Sequence, residues 1–121
     1  METQISEELA YWTGIVQSDG YLDVYFDKNR KLRFFRISLC VSKKSLPMLK
    51  RFQEISMRKL NRKTKIFNCK NNVFKGTIGI KELLKEFEKL DITFGDPPRP
   101  PKWVAKNINF FGAYLAGIID G

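Results

Sequence analysis

The sequence predicts an α+β fold with the element order αββαββα and one further helix, its two hairpins forming a four-stranded antiparallel sheet. Three observations carry this prediction. The hydrophobic period passes twice from helical to alternating and back, a nine-residue segment recurs 103 positions later, and most of the positive charge lies mid-chain. At 121 residues the chain is long enough for one compact domain and too short for two ordinary ones.

Ser6-Glu7-Glu8-Leu9 reads as a helix start, with Ser6 as N-cap and two acids in the first turn, where the helix dipole favours them. This helix runs to about Ser18 and ends at Asp19-Gly20. Residues 21–27 partly alternate and Lys28-Asn29-Arg30-Lys31 make a turn. Residues 32–42 alternate clearly, with Phe35, Ile37, Leu39 and Val41 on one face and Arg36, Ser38, Cys40 and Ser42 on the other. Ser45-Leu46-Pro47 opens a second helix, whose apolar period runs through Leu49, Phe52, Ile55 or Ser56, and Leu60. A second hairpin, 63–70 and 73–80, turns at Asn71-Asn72, and its phase is open because Ile66 and Phe67 are both apolar. Residues 81–90 predict an amphipathic helix with Leu83, Leu84, Phe87 and Leu90 inward. The Gly/Pro-rich segment 95–101 is a stiff linker, and residues 102–121 predict one more helix. The chain thus divides into a unit at 1–101 and the start of a second at 102–121.

Composition narrows the chemistry. There is no histidine, so imidazole general bases, Ser-His-Asp triads and histidine zinc sites are excluded, leaving carboxylates, lysines, hydroxyls and metal. The net charge of +9 points to a polyanionic partner. Residues 28–75 hold 16 Lys/Arg against the single acid Glu54, which implies one basic face and favours phosphate binding. Cys40 and Cys69 have no metal-ligand spacing and are expected to be buried thiols. The acidic start is no signal or transit peptide, and the apolar run 108–119 is too short to span a bilayer. An intracellular protein with no membrane partner is expected, from a prokaryotic cytoplasm or an organelle-borne gene.

The repeat sets residues 10–18, AYWTGIVQS, over 113–121, AYLAGIIDG, with four of nine positions identical. Both copies keep small residues four apart: Ala10, Gly14 and Ser18, and Ala113, Gly117 and Gly121. On a helix this spacing is one stripe, so two such helices can approach backbone to backbone, which accounts for a glycine that costs roughly 1 kcal/mol of helix propensity.

Residues 12–20, WTGIVQSDG, and 115–121, LAGIIDG, resemble the two signature helices of the LAGLIDADG homing endonucleases, and the resemblance covers essentially the whole chain. It implies that the signature helices form a seam between two similar halves, each presenting a curved four-stranded sheet to the DNA major groove. It also implies Mg²⁺-dependent cleavage of double-stranded DNA by an enzyme of an intron or an intein. Asp19 matches the acid that ligates the catalytic metal, and the Ser18 carbonyl matches a further ligand. Hard oxygen donors suit Mg²⁺, and phosphodiester cleavage needs a metal-held water. Lys43 matches a basic group near the active-site water, and Arg99 or Lys102 a second one. Asp120, opposite Gln17, does not match the catalytic acid, so one metal carboxylate is expected in this chain and little double-strand cleavage without a complementing half. Truncation from a two-repeat protein fits best, ahead of a homodimer pairing two Asp19 or a partner half on another chain.

For DNA contact the second strand offers Arg36, Ser38, Cys40 and Ser42, and the first offers Asp23, Tyr25 and Asp27. Arginine can pair with guanine and aspartate can accept from cytosine, so this set suits base reading. Arg30, Arg33, Lys65, Lys70 and Lys75 are candidates for phosphate contact. A non-cleaving nucleic-acid binder, such as an RNA maturase or a transcription regulator, is the alternative function.

Overall fold

The computed structural model describes residues 3–95 and 97–120. In chain order these form α1 (Glu7–Asp19), β1 (Gly20–Asp27), β2 (Leu32–Ser42), α2 (Leu46–Leu60), β3 (Lys65–Asn68), β4 (Val73–Gly79), α3 (Leu84–Lys89), α4 (Lys102–Ala105) and α5 (Ile108–Asp120). The sheet has the order β1-β2-β4-β3, and every neighbouring pair is antiparallel. Each hairpin turns through positive φ, at Lys31 in the first and at Asn71 and Asn72 in the second, where asparagine adopts it readily.

One face of the sheet carries the core. Ile37, Leu39 and Val41 of β2 and Ile78 of β4 pack with Leu9, Trp12, Ile15 and Val16 of α1 and with Leu49 and Phe52 of α2. Trp12 sits at the centre, fully buried, its ring stacked 6.0 Å from Phe52 and 5.8 Å from Phe87. Burial would orphan its indole N–H, which instead donates to Ser56 Oγ at 2.9 Å. Ile55 and Ser56 are both buried, so that turn of α2 serves the core twice. Ser6 caps α1 as expected, its hydroxyl accepting from the Leu9 amide at 3.1 Å.

Four expectations need correction. Residues 102–121 are not one helix: α4 ends at Ala105, and Asn107 then caps α5, its Oδ1 accepting from the amides of Asn109 at 2.9 Å and Phe110 at 3.1 Å. The helix expected over 81–90 begins as a tighter turn at Lys81–Leu83 before α3. The third strand is only Lys65–Asn68, because Lys70–Asn72 coil into a short turn. Cys40 and Cys69 are both exposed, Cys40 because it alternates with the inward Leu39 and Val41, and Cys69 because it lies at the mouth of the second hairpin.

Candidate functional site

The two repeat helices cross at their glycines. A Cβ on Gly14 would strike the Tyr114 carbonyl oxygen and stand 3.0 Å from the Ile118 nitrogen, and a Cβ on Gly117 would strike the Tyr11 carbonyl and stand 2.9 Å from the Ile15 nitrogen. Each contact maps onto the other by the offset of 103, so the crossing is a local two-fold. The same symmetry places a hydrogen bond on each flank: Tyr11 donates its phenol to Asp120 Oδ2, and Tyr114 donates to Gln17 Oε1, both at 2.5 Å. Arg51 of α2 joins the first, donating to the Tyr11 oxygen at 3.0 Å and to Asp120 at 3.3 Å. Burial, then the Asp120 hydrogen bond and charge, push the Tyr11 phenol above its ordinary pKa, and burial does the same for Tyr114. Ala10 is buried in this seam and Ala113 packs against it, while Gly121 lies outside the described residues. Ser18 turns its hydroxyl back to the Gly14 carbonyl at 2.8 Å, and its own carbonyl lies in the last turn of α1, where carbonyls lack intrahelical partners.

Asp19 is the last residue of α1, is exposed, and is followed directly by Gly20, which pairs with Leu39 of β2. No basic side chain occupies the last turn of α1, so the exposed Asp19 carboxylate stands unneutralised by its own helix at the helix's negative end. Among the described residues no three Cys, Asp or Glu side chains cluster as a closed metal cage. Lys43, exposed in the turn just after β2, lies four residues beyond Leu39 and hence at the Asp19 end of the sheet.

Arg99 is engaged elsewhere. Its guanidinium donates to both oxygens of Asp91, at 2.9 and 2.8 Å, and its carbonyl accepts from the Gln17 side chain at 2.9 Å. These bonds tie the proline-rich linker to the last turn of α1. The two Arg99 hydrogen bonds, helped by the Lys102 amide, hold the Asp91 carboxyl at about 2. Because that pKa is depressed, the clamp is complete above the ordinary carboxylate range and is lost as pH falls from about 4 through about 2. An NMR titration of Asp91 is expected to show this low midpoint in the wild type and a clearly higher one in Arg99→Gln, which keeps only the Lys102 amide bond. An unchanged midpoint in the variant would contradict the clamp.

The face of the sheet away from the core gathers most of the predicted contact residues. Cross-strand register puts Asp23 beside Arg36 and Gly79, Tyr21 beside Ser38, Thr77 and Lys65, and Cys40 beside Lys75 and Phe67. Tyr25, Asp27 and Ser42 share this face by alternation, and Arg30 and Lys70 lie in the turns of the two hairpins. Two candidates differ. Arg33 has the parity of Ile37 and lies on the opposite face, opposite Phe26, and Ser38 is fully buried with its hydroxyl 3.0 Å from that of Thr77. Tyr21 and Phe67 were missed, and register resolves the open phase by sending Phe67 to this face and Ile66 to the other. At the corner where β4 ends and β2 runs on, a cavity of about 450 Å³ is lined by Phe34, Arg36, Lys63, Lys65 and Phe67 among others.

The fold and the crossing of two glycine-bearing helices define a class: one αββαββα unit whose first helix crosses a C-terminal helix of similar sequence. Solved structures share it. The chain is similar to a mesophilic variant of the homing endonuclease I-DmoI at 17% identity and TM-score 0.65, covering 93% of this chain and 55% of that one. I-DmoI in complex with DNA and Mn matches at 19% identity and TM-score 0.63, covering 95% and 61%. The LAGLIDADG homing endonuclease I-SmaMI, bound to cleaved DNA, matches at 21% and TM-score 0.52, covering 74% and 31%. The chain thus spans little more than half the length of I-DmoI. No protein-family model and no curated protein matches the sequence.

Proposed function

We propose that this chain is a DNA-reading half of a LAGLIDADG-type homing endonuclease, with Asp19 as its metal-binding acid. One observation carries the reading: Arg36, Lys65 and Lys75 share one sheet face with Tyr21, Tyr25 and Phe67, and that sheet begins at Gly20, directly after Asp19. Aromatic and cationic side chains interleaved on a sheet suit a DNA groove, lysines holding phosphates and the shorter polar groups meeting base edges. Homing endonucleases of this fold have been solved with DNA and with Mn, Ca or Mg, which supports a divalent cation here and favours no particular one. Bound at Asp19 and the Ser18 carbonyl, such a cation would supply an activated water and neutralise charge on the phosphate. The chain's own part is to hold that carboxylate at the rigid end of the seam and to fix the duplex across it.

A second half is part of the proposal. By the repeat, Leu115 and Ile119 occupy the places of Trp12 and Val16, yet Trp12 is 0% and Val16 2% exposed while Leu115 is 41% and Ile119 79%. Together with Ile108 and Phe111 they make an apolar stripe on α5 at helical spacing, which fits a second sheet-and-helix unit packed as the first packs on α1. A homodimer through α1 is disfavoured because α5 already fills that groove.

The sheet face is tested by charge reversal. The double variant Lys65→Glu, Lys75→Glu is expected to weaken binding to duplex DNA at least tenfold and to flatten its salt dependence, with Lys85→Glu, Lys89→Glu on α3 within about threefold of wild type. Equal effects from the two pairs would remove the sheet from the interface.

A further inference from the structure

We infer that Arg36 reads one guanine of the target duplex and that Asp23 is its positioning residue, an inference that rests on the DNA-reading sheet proposed above. Asp23, Arg36 and Gly79 stand side by side across β1, β2 and β4. Arg36 donates from Nη2 to Asp23 Oδ2 at 2.7 Å, and its guanidinium carbon stands 5.2 Å from the centre of the Tyr25 ring. On its other side there is room, since a Cβ on Gly79 would have no atom within 4 Å. The guanidinium is therefore held on one flank, stacked on an aromatic ring and open on the other flank.

A free arginine loses much rotamer freedom when it docks on a base edge; here the ion pair and the ring have already fixed it. Its Nε is buried, so the hydrogens left to face a ligand are those of the two terminal nitrogens not taken by Asp23. Guanine presents two acceptors, O6 and N7, to the major groove and so matches the arginine fork, whereas adenine presents one acceptor and one donor. A phosphate would need no such fixation, since a flexible lysine serves it as well. Asp23 repels phosphates, so its place on this face is explained by the arginine it holds.

The test is a binding panel in Ca²⁺, in which each base pair of the half-site selected by the wild type is replaced in turn. The wild type is expected to lose about tenfold or more when one particular G·C pair is replaced. Arg36→Lys keeps the charge; it is expected to discriminate less than about threefold there and to keep its profile at the other positions. Asp23→Asn is expected to weaken discrimination at the same position, without loss of affinity for unselected DNA. A merely structural Asp23 would lower the melting temperature and leave the base profile unmoved. If the wild type selects a motif and Arg36→Lys leaves every preference unchanged, this inference is overturned alone; if the wild type prefers no base anywhere, the DNA-reading sheet falls with it.

Discussion

Gly14→Val is expected to destabilise the protein by about 3–5 kcal/mol, among the largest effects any single substitution would have here. The position is interior to a helix, where replacing glycine ordinarily gains up to about 1 kcal/mol, so the sign is set by what the new side chain meets. It meets backbone: the Tyr114 carbonyl and the Ile118 nitrogen cannot turn aside as a side-chain tip would, so the helices must part. Parting them also breaks the Tyr11–Asp120 and Tyr114–Gln17 hydrogen bonds and uncovers Ala10 and Tyr114. Gly117→Val should cost a similar amount, because the crossing is two-fold. Gly112→Ala, in the same helix α5 with nothing within 4 Å of a would-be Cβ, is expected to be neutral or slightly stabilising. Urea denaturation of the three variants checks the set, and a Gly14→Val protein within about 1 kcal/mol of wild type would contradict so close a crossing.

Asp19→Asn is expected to abolish metal-dependent strand cleavage, by on the order of a thousandfold, when the chain is assayed with a complementing half. The substitution keeps size and shape at an exposed helix terminus, so stability should hardly change. Removing a negative charge beside the phosphates should leave DNA affinity equal or slightly higher. Cleavage and gel-shift assays on the same preparation separate the two effects. Full cleavage by Asp19→Asn would remove Asp19 from the chemistry, whereas a chain that binds and never cleaves in either form would support the non-cleaving alternative.

Much of this was legible in the sequence because local signals and the repeat agreed. Ser6 marked the start of α1, the alternation of residues 32–42 placed Ile37, Leu39 and Val41 inward, and the glycine stripes anticipated the seam. The failures have physical causes. Asn107 looked like part of a long helix because capping depends on backbone geometry that composition does not display, although an asparagine directly before an apolar run is itself a capping signal. The face of Arg33 was legible, since it shares the parity of Phe35 and Ile37, whereas the burial of Ser38 was not, because it depends on Thr77 of the neighbouring strand. The Arg99–Asp91 clamp spans eight residues of irregular chain and the Tyr11–Asp120–Arg51 cluster joins residues far apart, and no helix or strand spacing rule reveals either.

The central claim is that one sheet face of this chain reads one half of a DNA site. Selection from random duplex DNA, with Ca²⁺ present to allow binding while slowing any cutting, tests it most directly. The account predicts enrichment of a single non-palindromic half-site. Salt-sensitive binding with no enriched motif would contradict the reading face, and a palindrome would contradict the assignment of α5 to a second, different half.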